Sequence, residues 1–333
     1  MAIDIFNPEV SKVAHGLEGK VLMIYGTNNV GKTYQAVRMK KPYVLACESG
    51  LNAQANVRHG SITNWMEFRK AISQFTDPKT IKQAKELYST IIIDEVYASS
   101  LFCQKFICDT YGGGCISLGA NENSKVNLYS IYERIYWEQI NKLVSAGYTV
   151  VFIAHQTIDS KTEYISPKGD KRCLSPIIDN CDFVIYLAPN GVDENGQVIK
   201  SSAYLAQTDK YFARTRFDYM TTYIPEFTAE ALEKAICDAI AKQEDAEGIQ
   251  SVDFVEQQAE KDPEILDFES LMEEIQALGM KLAEADKVEL LTDIVENTLG
   301  VGKKVSECNK KQTESMAIIL EDIKQACSDL GIE

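Results

Sequence analysis

Residues 25–34 read YGTNNVGKTY, a glycine, four residues, then Gly-Lys-Thr. The pattern is filled at Gly26, Gly31, Lys32 and Thr33, with Thr27, Asn28, Asn29 and Val30 between the glycines and Tyr34 directly after. Such a loop acts through its backbone. Successive N–H groups converge on phosphate oxygens, and glycine lets the chain come that close. A helix beginning near Lys32 adds unpaired N–H groups and the positive end of its dipole, both of which favour an anion. Lys32 then reaches the β- and γ-phosphates while the Thr33 hydroxyl ligates magnesium, so the expected ligands are ATP and Mg2+. The same spacing also describes a plain glycine turn, and the flanks decide between the two. Lys20–Tyr25 is an apolar run of strand composition, and Thr33–Met39 can continue as a helix.

Magnesium bridging two phosphates requires a carboxylate at the end of a neighbouring strand. Thr90–Glu95 (TIIIDE) supplies one: four β-branched residues in succession suit a strand buried on both faces, and Asp94 falls where it emerges. Read without the loop, Asp94 and Glu95 are a solvated strand end. Two glutamates can orient an attacking water, Glu95 beside the metal Asp and Glu48 at the end of Tyr43–Gly50 (YVLACESG). Val150–Gln156 (VVFIAHQ) is a further apolar strand whose polar end, His155, can touch a γ-phosphate; the plainer alternative is an ordinary strand-end residue.

These residues need a scaffold that brings strand ends together. The chain reads as strand, loop, helix, strand, helices, strand, long helix, strand, which predicts an α/β fold with a mainly parallel sheet and helices on both faces. Crossover helices are expected over Asn64–Phe75, Pro78–Leu87 and Val126–Ser145, the last carrying Tyr129, Tyr132, Tyr136 and Trp137 as core filling or as stacking platforms for bases. Asp182–Leu187 reads as a fifth strand, with Ser201–Thr208 and Tyr211–Phe217 as antiparallel additions.

Two irregular segments, residues 110–125 and 157–176, interrupt the alternation, and loops of that length in a compact core are commonly functional. The second carries Lys161, Lys168, Lys171 and Arg172 around Tyr164, which is either a set for single-stranded nucleic acid or a solvated hairpin. In DKYFARTRFD, Lys210, Arg214 and Arg216 fall near alternate positions of a strand. They form either a solvent-facing edge or a trans-acting finger that completes a neighbouring subunit's ATP site.

The net charge of −15 argues against nucleic acid only if taken as one number. Residues 1–225 hold 24 Lys and Arg against 22 Asp and Glu; of the chain's 34 and 49, that leaves 10 against 27 for residues 226–333. The acidity belongs to the tail, and the rest can carry a local basic groove. Three segments are therefore expected: a nucleotide-binding core over 1–225, a helix (Thr228–Gln243) with an acidic linker over 226–265, and a small acidic helical module over 266–333 with helices broken near Gly279 and at LGVGKK. No apolar run reaches a membrane span. The start of the sequence lacks a signal core, so the protein is expected in the cytoplasm. The nine cysteines, without CxxC pairs, read as reduced thiols.

Over residues 18–217 the chain resembles phage-type AAA-family ATPases with a RecA/RadA-like core, the group linked to single-strand annealing and recombination. The resemblance rests on KVLMIYGTNNVGKT, PYVLACESG, STIIIDEVY, TVVFIAHQ and KYFARTR. It implies ATP hydrolysis at the interfaces of a homo-oligomer, Glu48 as the water-activating base with Glu95 in support, His155 as γ-phosphate sensor, and loops that face single-stranded DNA. Two positions depart from the family pattern: Thr27-Asn28-Asn29 stands where Pro and Gly are frequent, and Arg214 where a lysine is. The tail lies outside the resemblance, and a replication or recombination protein is its expected partner. Two other functions fit parts of the pattern. One is a P-loop kinase for a small molecule, which needs no late cations or long loops. The other is a nucleotide-switched loader that acts through its tail.

Overall fold

The computed structural model describes residues 6, 10–51, 54–121, 126–259 and 267–332. The end of the 110–125 segment and residues 260–266, the close of the expected acidic linker, lie outside them. The described residues divide into two compact units, a larger one over 10–259 and a smaller one that holds 267–332 together with residue 6.

In chain order the larger unit runs β1 (Val21–Gly26), α1 (Lys32–Ala36), β2 (Pro42–Ala46), β3 (His59–Ser61), α2 (Trp65–Thr76), α3 (Ile81–Leu87), β4 (Thr90–Asp94), α4 (Val96–Tyr111), α5 (Leu128–Ser145), β5 (Thr149–Ile158), β6 (Ile165–Pro167), α6 (Lys171–Asn180), β7 (Phe183–Ala188), β8 (Ser202–Tyr204), β9 (Arg214–Thr215), β10 (Tyr223–Ile224), α7 (Ala229–Glu247) and α8 (Phe254–Ala259). The strands form one sheet in the order β10-β8-β7-β1-β5-β4-β2-β3, with β6 on β5 and β9 on β7. The run from β7 to β3 is parallel, and the remaining pairs are antiparallel. This is the expected α/β architecture.

Alternation along the strands builds two cores. Met23, Tyr25, Ile91, Ile93, Val150 and Phe152 face α2, α4 and α5. Leu22, Ile24, Ile92, Val151 and Ile153 face the opposite side. Both faces are covered, so β1 and β4 are buried along their whole length. Tyr132 and Tyr136 lie fully inside the first core, their hydroxyls bonded to Ser100 and Ser99, and so fill it rather than offering a platform for bases.

Several elements differ from expectation. The strand that ends in Asp94 is not the immediate neighbour of β1: β5 lies between β1 and β4. The helix expected at 228–243 is longer and belongs to the core: Leu232, Ile236, Ala239 and Ile240 of α7 cover the face that the five-residue α1 leaves open. The chain beyond it returns to pair Val252 with Ala14. A boundary at 225 therefore cuts through the packed unit.

The 157–176 segment is ordered: β5 continues to Ile158, turns, and returns as β6, after which α6 begins at Lys171 with Asp170 as its cap. Pro176 inside α6 hid this helix in the sequence. Only Arg214–Thr215 of the expected Tyr211–Phe217 strand pairs with β7. Upstream, the backbone at Lys210–Phe212 bonds Ile165 instead.

The second unit holds α9 (Phe268–Glu284), α10 (Val288–Leu299) and α11 (Thr313–Leu330), packed around Leu271, Leu282, Met316, Ile319 and Ile323. The break expected at Gly279 is absent, since α9 runs through it; a Cβ there would meet Leu291 at 3.3 Å, so the glycine serves close packing of α10. Helix α10 ends at Gly300, within the LGVGKK stretch. No helix among the described residues is long and apolar enough to cross a membrane. All nine cysteines are free thiols.

Candidate active site

The loop after β1 turns tightly over the carboxyl end of the sheet. Gly26 has φ of 158°, and a Cβ there would lie 2.6 Å from the Leu187 carbonyl oxygen of β7, so no side chain fits. Gly31 takes the left-handed conformation (φ 86°) that opens α1. Asn29, at φ 61°, is a residue type that tolerates that region, which is how the turn forms without a Pro-Gly pair. Lys32 is buried, and its Nζ donates to the carbonyls of Gly26 at 3.1 Å and Thr27 at 2.7 Å. Burial lowers its pKa, opposed by the charges of Asp94, Glu95 and Glu48.

The Thr33 hydroxyl, on the first turn of α1, donates to Asp94 Oδ2 at 2.8 Å. Asp94 is buried at the end of β4; burial raises its pKa, the Thr33 bond lowers it, Glu48 raises it and Lys32 lowers it. A hydroxyl and a carboxylate oxygen at this spacing are a donor set suited to a hard cation that keeps most of its ligands as oxygen, so the pair fits Mg2+.

Beside this pair stand Glu48, Glu95 and His155. Nε2 of His155 lies 3.7 Å from Glu48 Oε1 and 3.9 Å from Glu95 Oε2. Burial lowers the His155 pKa, helped by the Lys32 charge and opposed by Glu48, which favours the neutral ring. Glu95 is the deeper carboxyl: burial pushes it up to about 7, with Glu48 adding and the His155 backbone N–H opposing. Glu48 is exposed and faces the cleft in front of the loop, together with Asp94 and His155, whereas Glu95 sits behind them.

That cleft holds about 630 Å3, within the range of nucleotide-sized sites. A groove of about 1020 Å3 between α2 and α5 is larger, but no phosphate-binding backbone points into it. The far wall of the loop cleft was missed in the sequence. Val198, Ile199, Lys200 and Ser201, beyond the turn of a small hairpin, line it together with Phe227. The exposed apolar pair Val198 and Ile199 after a polar turn was the available signal. Tyr34 also lines the cleft, with the Arg38 guanidinium 3.3 Å over its ring.

The remaining cations separate. Lys168 stands near the site: its backbone N–H bonds the His155 carbonyl, its charge lowers the Glu95 pKa, and its ammonium lies 5.3 Å from the Tyr97 ring centroid. Lys161 and Tyr164 lie in the β5–β6 turn, and Lys171 opens α6. Arg172 stacks on Tyr129 at 3.5 Å and donates to its hydroxyl. Arg214 donates to the Ile178 carbonyl and Arg216 to that of Asp179, both at the carboxyl end of α6, where cations complement the helix dipole. Their strand pairs with the start of β7, at the end of the sheet away from the loop. Lys210, bonded through its carbonyl to β6, is placed at the loop end. The three cations therefore do not line one strand face.

Comparison with known proteins agrees with this geometry. Residues 18–217 match the family described as AAA domain. The chain is also 52% identical, over 99% of its own length and 100% of the relative's, to the SPbeta prophage-derived uncharacterized protein YorG of Bacillus subtilis (strain 168).

Proposed function

Because the chain belongs to the AAA-domain family of nucleotide-binding ATPases, we propose that it hydrolyses ATP with Mg2+ and acts on single-stranded DNA in phage recombination or replication, as a cytoplasmic homo-oligomer. The observation that carries the catalytic part is the 2.8 Å contact between Thr33 and Asp94, set beside the Glu48, Glu95 and His155 cluster.

The loop N–H groups and Lys32 bind the β- and γ-phosphates, Lys32 exchanging neutral carbonyl acceptors for anionic oxygens. Thr33 and Asp94 hold Mg2+, which supplies charge neutralisation at those oxygens. Glu48, facing the cleft, takes the proton of the water that attacks the γ-phosphorus; geometry ranks it ahead of the more deeply placed Glu95. His155 donates to the γ-phosphate, with Glu95 behind it in a supporting role.

The DNA part is supported by connectivity and by the prophage origin of the relative. Strand β5 runs from His155 directly into the turn that bears Lys161 and Tyr164, so loss of the γ-phosphate contact is felt there. Of the three late cations we assign the reach into a neighbouring subunit's site to Lys210, whose backbone is bonded to β6. Arg214 and Arg216, expected in the same finger from their spacing, hold α6 instead. The acidic second unit is the surface for a replication or recombination partner.

The test is the ATPase rate with and without single-stranded DNA, beside DNA binding by the Lys161→Ala/Lys171→Ala double variant. Each lost phosphate contact lowers the salt slope of binding by about 0.7. DNA-stimulated turnover with that loss supports the reading. Turnover indifferent to DNA removes the DNA part.

A further inference from the structure

Two side chains that follow strand ends, Glu48 and Glu95, and one from within β5, His155, converge next to the Thr33–Asp94 pair. One donor atom each from Glu48, Glu95 and His155 falls within 4.8 Å of the other two. The His155 Nε2 separations of 3.7 and 3.9 Å are too long for hydrogen bonds. Glu95 is 4% exposed, and its Oε2 makes no hydrogen bond. A buried carboxylate oxygen left without a donor is costly, and here it faces a second carboxylate and an imidazole nitrogen. Two carboxyl oxygens and one imidazole nitrogen gathered this closely are a ligand set for a cation.

From this geometry we propose that Glu48, Glu95 and His155 form a second cation site, separate from the Thr33–Asp94 position, which takes a first-row transition ion in preference to Mg2+. Ligand bonds of roughly 2.0–2.2 Å imply donor separations of about 3.0–3.5 Å around one ion. The observed separations exceed that by about half an ångström at His155, which rotation of the exposed Glu48 and of the ring closes. The imidazole sets the preference: nitrogen favours transition ions, while Mg2+ demands oxygen in near-octahedral array. An ion bound here occupies the lone pairs that Glu48 offers to water. Occupancy and base catalysis by Glu48 are therefore alternatives, and the site is inhibitory.

This inference shares Glu48 and His155 with the reading above but rests on their placement and not on turnover, so it is tested without nucleotide. Mn2+ alone is titrated into the full chain and followed by electron paramagnetic resonance, with electron spin echo modulation to detect coupled nitrogen. The expected result is a bound Mn2+ with imidazole 14N modulation. The modulation disappears in His155→Ala, and affinity falls at least about tenfold in Glu95→Gln. Thr33→Val, which removes the hydroxyl of the other ligand pair, leaves both signals in place. Bound Mn2+ without nitrogen coupling, or coupling lost in Thr33→Val, puts the ion at the Thr33–Asp94 position and overturns the proposal, as does an absence of binding. The wild-type nitrogen signal decides even if a variant fails to fold. Loss of this site leaves the hydrolysis reading intact, since nucleotide turnover by Lys32→Ala judges that separately.

Discussion

The Thr33 hydroxyl meets the Asp94 carboxylate at 2.8 Å although their elements do not adjoin in the sheet: β5 lies between β1, which leads to Thr33, and β4, which ends in Asp94. The first turn of α1 spans that strand's width, of about 4.8 Å. The same intervening strand carries His155, so the arrangement that separates the metal ligands also brings the imidazole to their cleft.

Lys32→Ala removes the one ammonium buried in the loop. A hydrogen bond to a charged group contributes about 1.5–3 kcal/mol, so ATP affinity is expected to fall by about ten- to a hundredfold. Equilibrium binding of a fluorescent ATP analogue measures this, and an unchanged Kd would refute the phosphate site.

Glu48→Gln keeps shape and removes the base. Hydrolysis is expected to drop by about 10²–10⁴-fold while ATP remains bound. Single-turnover rates of Glu48→Gln and Glu95→Gln, compared side by side, identify the proton acceptor. A larger loss in Glu95→Gln would transfer that role to the deeper carboxyl.

Glu95 links folding to pH. Its carboxyl is raised from 4.5 to about 7, first by burial, so the folded chain holds a proton that the unfolded chain has released across that window. Stability therefore falls as pH rises from about 4.5 to 7 and stays reduced above it, by at most about 3 kcal/mol. Glu95→Gln should flatten this slope and stabilise the protein at pH 8. Urea unfolding without nucleotide, followed by tryptophan fluorescence, checks it, because both tryptophans, Trp65 and Trp137, lie in the larger unit. A slope unchanged by Glu95→Gln would dismiss the linkage.

Ile236 tests whether α7 is part of the core. It is fully buried against the face that carries Leu22 and Ile24. Ile236→Ala is expected to cost about 2–5 kcal/mol in the same unfolding assay. A change under about 0.5 kcal/mol would make α7 an appendage.

The α/β architecture was legible because its signals are local: the glycine spacing, the apolar run before it, TIIID, and the amphipathic spacing of α5 with Asn127 as its cap. What was not legible depended on pairing between distant segments. Nothing local in β5 says that it inserts between β1 and β4. Nothing in DKYFARTRFD says that Lys210–Phe212 bonds Ile165 while Arg214 turns to the end of α6. The acidic composition after 225 masked the apolar stripe that binds α7 to the sheet. Of the site, the residue types were readable, while the depth of Glu95 and the hairpin wall at Val198–Ser201 required coordinates.

Helix α1 has only five residues, and its two ends do different things. Its first turn presents Lys32 and Thr33, while Gln35 Oε1 accepts the backbone N–H of Ala229 at the start of α7. One short helix thus joins the phosphate-reading turn to the start of α7. Both are thereby anchored to the same five residues.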